Sequence, residues 1–143
     1  MSSKLNKGSS LMRVILIGII IGPSIMLISS ILLAFVALKT GNPTGSVFPL
    51  ALFAIFLGGL ISSLRSAKTY TEKPAQAGLL TGLANLVIVT IVALISSTYS
   101  GGLWNAVLPP AILAASSLFG TFIATKMKQN TKRKLKKLRR QIR

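Results

Sequence analysis

Uncharged runs and short polar breaks alternate along the chain. Residues 14–38 contain no charged side chain over 25 positions, and further uncharged runs cover 47–64, 77–97 and 103–125. Written as helices at about 1.5 Å per residue, the first run extends about 37 Å and the shortest about 27 Å. A bilayer's hydrocarbon core is about 30 Å thick, so each run is long enough to cross it with modest tilt. The pattern predicts an all-α membrane protein with four transmembrane helices in a domain spanning 14–125. A cytoplasmic N-terminal segment (1–13) precedes it and a basic tail (126–143) follows.

The breaks agree with this division. Residues 39–46 (KTGNPTGS) are punctuated by Gly41, Pro43 and Gly45, as a turn requires. Residues 65–76 form a polar, basic loop, and 98–102 (TYSGG) a short uncharged turn. Pro49, Pro74, Pro109 and Pro110 are expected at or near helix starts, where a missing amide donor costs little. Pro23 falls inside the first run and is expected to kink that helix or free the carbonyl of Ile19. Basic residues flank the first run, as in a secretory signal, but the run is much longer than the usual ~7–15 apolar residues. It reads as a retained first span.

Composition narrows the chemistry. Of 143 residues, 51% are hydrophobic and 13% charged, about half the charged share of an ordinary soluble domain. There are 17 Lys and Arg, one acid (Glu72), no His and no Cys. A carboxylate dyad needs two acids and a serine triad needs a histidine base. One Glu offers no protein-bound zinc site, and nothing in the sequence points to a cofactor. The expectation is a protein that is not an enzyme.

Charge also predicts orientation. The N-terminal segment carries 3 Lys/Arg, the 65–76 loop 3 and the tail 10, whereas the first and third breaks together carry only Lys39. With four spans the two sides hold 16 and 1, and the positive-inside rule places both termini and the middle loop in the cytoplasm of a cell-membrane protein. Tyr99 and Trp104 then flank the outer interface, where aromatic rings favour the headgroup level.

The two halves read alike. Arg13, Gly18 and Gly22 match Lys73, Gly78 and Gly82 at a shift of 60, and Pro49, Gly59 and Arg65 match Pro110, Gly120 and Lys126 at a shift of 61. This suggests two repeated helical hairpins inserted in the same direction, related by a pseudo-twofold along the membrane normal. Glycines one turn apart, Gly18/Gly22 and Gly78/Gly82, give faces on which another backbone can come close. Ala54, Gly58 and Ser62, and Ser116, Gly120 and Ala124, extend the same device to the other spans. Gly18, Gly22, Gly58, Gly59, Gly78, Gly82 and Gly120 are thus the expected helix-packing positions, within the bundle, in a homo-oligomer or against a larger membrane complex. Ser and Thr in the spans are expected to bond the backbone one turn back. Asn85 is the one side-chain amide away from the ends of a span, Asn105 lying at the start of the fourth. It is expected to make an interhelical hydrogen bond or, alternatively, a substrate contact. No span carries an ionisable residue, which argues against a proton-coupled exporter.

The tail holds ten positive charges and no acid, with Leu135, Leu138 and Ile142 spaced for one helical face. Alone, such a segment repels itself and is expected to be disordered; against a polyanion it would fold. Lys132, Arg133, Lys134, Lys136, Lys137, Arg139, Arg140 and Arg143 are the candidate contacts to anionic lipid headgroups, to the ribosome or to an acidic partner.

With a basic residue ahead of G-x-x-x-G in spans one and three, four short spans and a lysine-rich cytoplasmic end, residues 11–126 resemble small four-span integral membrane proteins of Gram-positive bacteria with no assigned function. The resemblance implies an integral cytoplasmic-membrane protein and no catalytic residues to carry over. The expected function is a non-enzymatic accessory or scaffold subunit. The alternatives are a small transporter or channel with a neutral path past Asn85, and a holin-like membrane protein.

Overall fold

The structure, a computed structural model, describes residues 10–70, 72–100 and 102–141, with 97–100, 105 and 132–141 as backbone only. Four helices follow one another: α1 (Leu11–Leu38), α2 (Pro43–Thr69), α3 (Pro74–Ser100) and α4 (Leu103–Gln141). All four are long and apolar enough to cross a membrane.

Local chemistry sets the starts. Ser10 caps α1 by accepting from the Arg13 amide at 3.4 Å. Asn42 caps α2 through its side-chain oxygen, 3.1 Å from the Gly45 amide, with Pro43 in the first turn where its absent N–H leaves nothing unmade. This cap begins α2 within the break expected at 39–46, so Pro49 lies in the helix's second turn rather than at its start. Pro109 and Pro110 likewise fall inside α4. At the other end α2 runs through Ser66 and Ala67 to Thr69, taking in half of the expected 65–76 loop. Both residues are buried, because Gly18 on α1 leaves room for Ser66. Pro23 is accommodated without ending α1, and beside it the Ser24 hydroxyl donates to the Ile20 carbonyl at 2.8 Å.

In the chain the tail does not stand alone: α4 continues as one helix through Gln141. The span ahead of it has already nucleated the helix, so each further residue adds a hydrogen bond without a new nucleation cost. Where the span gives way to the basic segment, Lys126 Nζ sits 5.6 Å from the centroid of the Phe122 ring, one turn back.

Within each hairpin, α1 packs on α2 and α3 on α4; α2 and α3 also touch each other, α2 touches α4, and α1 touches α3. Among the described residues α1 and α4 do not meet. A twofold exchanging the hairpins would pair α1 with α4 as it pairs α2 with α3, so the packing departs from the expected pseudo-twofold. The inner pair α2 and α3 instead carries the bundle, with α1 and α4 on its flanks.

The core inverts the order of a soluble protein. Most of the buried residues are Ala, Gly, Ser, Thr and Asn, joined by Val14, Pro109 and Leu113, and Leu113 is the largest fully buried side chain. Large apolar side chains, Leu32, Phe35, Leu83, Phe119 and Phe122 among them, stand outward and are more than half exposed. In water this apolar surface would drive association; in hydrocarbon it faces its proper solvent.

The seven packing glycines are all buried against other helices of the chain. At Gly120 an added Cβ would stand 2.5 Å from the Leu60 backbone oxygen on α2, and neither element can yield locally. Gly41, in the first turn, has nothing within 4 Å of such an atom. Gly120→Val is therefore expected to lower unfolding stability by about 1–3 kcal/mol. Gly41→Ala should leave it within about 0.5 kcal/mol. Thermal unfolding of both variants in the same detergent checks the contrast.

Candidate functional site: a buried amide at the foot of an apolar cavity

Polar side chains collect along the bundle axis. Ser62, Ser63 and Ser66 come from α2, Thr81 and Asn85 from α3, and Ser116, Ser117 and Thr121 from α4, all buried. Each glycine of the G-x-x-x-G pairs faces one of them. Gly18 lies against Thr81 and Ser66, Gly22 against Asn85, Gly78 against Thr121, and Gly82 against Ser117. On α2, Gly59 lies against Ser116 and Gly58 against Met26. The glycine faces are thus occupied from within the chain.

Most hydroxyls satisfy themselves on their own helix. Thr81 donates to the Ala77 carbonyl at 2.8 Å, Ser63 to Gly59 at 2.8 Å, Ser116 to Leu113 at 2.9 Å and Thr121 to Ser117 at 2.8 Å. Such bonds leave the hydroxyl oxygen able to accept.

Asn85 is the exception: its amide bonds across to another helix. It is 1% exposed, and its Nδ2 donates across the α2–α3 seam to Ser62 Oγ at 3.2 Å. Ser62 in turn donates to the Gly59 carbonyl at 3.2 Å. The expected interhelical bond is present and ties the register of α3 to α2. Asn85 Oδ1 is buried with no hydrogen-bond partner. Turning the amide over does not help, since the Ser62 proton is already committed and Nδ2 would become the orphan. An unmet buried acceptor costs about 1–3 kcal/mol. The α1 surface over the amide is Gly22, where a Cβ would lie 2.6 Å from Nδ2 and 3.0 Å from Oδ1.

Immediately beyond this pair the helices part. A cavity of about 400 Å³ opens between α1 and α3, walled by Pro23, Met26 and Leu27 on α1 and by Ile88, Val89 and Val92 on α3. Phe48 and Ile55 of α2 and Pro109 of α4 complete it. Asn85 lies three, four and seven residues before Ile88, Val89 and Val92, on the same α3 face. Ser62 lies seven residues after Ile55 on α2. The amide pair thus lies next to the cavity along α2 and α3 without lining it. A second cavity, about 60 Å³, lies between α1 and α2 beside Gly18, Arg65 and Ser66.

No family model, curated protein or solved structure matches this chain. The site is accordingly read from its own chemistry.

Sequence reasoning reached Asn85 and the glycines but not the cavity, which depends on how far apart α1 and α3 stand. It also placed Ser66 in a loop. Lys132, Arg133, Lys134, Lys136, Lys137, Arg139 and Arg140, and the side chain of Tyr99, lie outside the described side chains, and Arg143 outside the described residues. Trp104 stands exposed at the start of α4. In the 65–76 segment Tyr70 donates to Glu72 Oε2 at 3.1 Å, and accepting that bond lets the carboxylate hold the phenol above its ordinary pKa.

Two substitutions separate the roles of Asn85. Asn85→Leu removes the orphan acceptor and leaves Ser62 bonded to Gly59, so stability should change by less than about 1 kcal/mol. Asn85→Asp would bury a carboxyl with no cation beside it, raising its folded pKa above the unfolded value. Its destabilisation is absent below about pH 4 and grows as the pH rises. Melting temperatures between pH 4 and pH 8 should be flat for Asn85→Leu relative to the parent and fall for Asn85→Asp.

Proposed function

We propose that this protein is a non-enzymatic membrane accessory subunit of the cell membrane: a rigid four-helix support that holds a basic helix against an anionic surface. Both termini and the 65–76 segment lie in the cytoplasm on this reading, following the 16-to-1 distribution of Lys and Arg. The two hairpins are a duplicated unit whose copies have diverged in packing, with G-x-x-x-G at matching places in α1 and α3.

The observation that carries the reading is the continuity of α4. Its 39 residues extend about 58 Å, roughly twice the hydrocarbon thickness, with no break between the span and the basic segment. From Lys126 to Gln141 the helix continues about 24 Å beyond the apolar run. A basic arm built this way is prepaid in order: part of the entropy cost of docking is already met by the helix it continues. Its ligand is the anionic headgroup surface of the inner leaflet, where each basic residue contributes about 1 kcal/mol. Leu135, Leu138 and Ile142 supply an apolar stripe for the interface. The tail has no aromatic side chain for stacking on bases, which favours lipid over RNA. The glycine faces support a scaffold rather than an oligomer, since they are filled by the chain's own helices.

The chain contains no cysteine, so a single one can be introduced and labelled. An environment-sensitive dye at Leu135→Cys should shift to the blue in nanodiscs containing phosphatidylglycerol relative to pure phosphatidylcholine. The shift should reverse in 1 M salt, where the screening length is about 3 Å. Replacing Lys132, Lys134, Lys136 and Lys137 by Gln should abolish it. Equal spectra in both lipids would remove anionic lipid as the partner. A photoreactive group at Leu138 that captures ribosomal RNA or one membrane complex in cells would reassign the arm to that partner.

A further inference from the structure

The smaller cavity sits where α1 begins and α2 ends. Ile17, Gly18 and Ile21 line it from α1, and Arg65, Ser66 and Thr69 from α2. The apolar run of α2 stops at Leu64, so the α2 wall lies at the border between hydrocarbon and headgroups. Ile17, Arg65 and Thr69 are exposed, and the cavity opens sideways between the two helices. At about 60 Å³ it has room for about four to six waters, the scale of a phosphate group rather than of a whole lipid headgroup.

A hydroxyl on its wall has nothing to bond. Ser62, Ser63, Thr81, Ser116, Ser117 and Thr121 each donate to a carbonyl of their own helix. Ser66, 2% exposed, is the buried hydroxyl residue whose side chain makes no such bond among the described residues. Its oxygen turns across to α1, where a Cβ on Gly18 would stand 2.5 Å from it. Among the described residues, Asn85 Oδ1 is the one side-chain polar atom both sealed off and without a partner. The Ser66 hydroxyl is therefore not sealed, and it reaches the cavity that it lines. Charge supplies the other half of the site. Arg65 adjoins Ser66 on the wall, and Arg13 stands one turn before Ile17 on the same face of α1. The chain has 17 Lys and Arg against one acid, and that acid, Glu72, accepts from Tyr70. The counter-charge for this cationic mouth comes from outside the chain. A guanidinium beside a free hydroxyl donor suits a phosphate, whose oxygens accept charge-assisted hydrogen bonds.

We propose that this cavity holds the phosphate of an anionic glycerophospholipid, with Ser66 Oγ donating to a phosphate oxygen, the Arg65 guanidinium meeting the charge and an acyl chain lying along Ile17 and Ile21. Basic pockets between transmembrane helices at headgroup level take anionic lipids by this combination of charge and shape. Gly18 keeps the hydroxyl in place at the cavity, because a side chain there would collide with Ser66 Oγ. The site needs a membrane interface and not a particular leaflet, and it does not use the tail. It stands or falls separately from the basic arm.

The test uses the full chain with Lys132, Lys134, Lys136 and Lys137 replaced by Gln, which reduces the arm's own hold on lipid. The protein is titrated in detergent with phosphatidylglycerol or phosphatidylcholine, and bound lipid is counted by native mass spectrometry. The first phosphatidylglycerol should bind about tenfold more tightly than phosphatidylcholine, whose choline brings a cation to Arg65. Ser66→Ala should weaken phosphatidylglycerol about tenfold, the size expected for one hydrogen bond to a charged group. Arg65→Gln should bring the two lipids level, and Arg65→Lys should keep part of the preference. Melting temperatures near the parent's for these variants separate lost binding from misfolding. Restoring the four tail lysines should add weaker lipids without moving the first, which keeps the result distinct from the fate of the arm. Equal affinity for the two lipids before any change at Arg65 would overturn the site, as would undiminished phosphatidylglycerol binding in folded Ser66→Ala and Arg65→Gln. Displacement of the lipid by excess inorganic phosphate would give the cavity to the free ion and overturn the lipid assignment.

Discussion

At Gly18, Gly22, Gly78 and Gly82 the absence of a side chain lets neighbouring helices come within reach of each other's small polar groups, and the bundle's other features follow from that closeness. Lipid offers no hydrophobic drive for helices to associate, so van der Waals contact and short polar contacts must do so. A Cβ at any of these four positions would collide with Thr81, Asn85, Thr121 or Ser117. The fit holds on both flanks of the α2–α3 pair, and α2 repeats it through Gly58 and Gly59.

The same constraint explains why polar residues are inside and large apolar residues outside. Closely spaced helices leave room mainly for Ala, Ser, Thr and one Asn, while most Leu, Ile and Phe side chains are displaced to the surface. The hydroxyls cost little there because each can bond the preceding turn of its own helix. The carboxamide of Asn85 instead reaches across to α2. Its donor is met by Ser62, and its acceptor has no partner among the described residues. Contact through glycine at one level and bulky Met26, Ile88 and Val89 at the next also leaves the space that became the cavity. Close packing and the cavity are two consequences of one change in side-chain size along α1 and α3.

The arm and the bundle are mechanically one piece through α4. Its inner half is held by Gly120 on Leu60 and by Ser116 on Gly59. Lys126 over Phe122 lies at the point where the apolar surface ends, a place suited to a cation whose stem is in hydrocarbon and whose charge seeks water.

The four helices, their order and the residue types of their contacts could be read from the sequence. Length against hydrocarbon thickness, the spacing of Gly18/Gly22 and Gly78/Gly82, and the place of Asn85 as the one amide well inside an apolar run are properties of the chain taken one segment at a time. The ends of α2 were less legible, because burial of Ser66 depends on a glycine nearly fifty positions away, and no local pattern records that distance. The order of α4 beyond Lys126 could not be read for a related reason. Charge repulsion is visible in the segment itself, whereas the helix that nucleates it lies upstream. Tertiary structure alone decided that α1 meets α3 but not α4, that Asn85 keeps an unmet oxygen, and that a cavity opens above it. These depend on distances between helices, and such distances are set by pairs of side chains that the sequence lists apart.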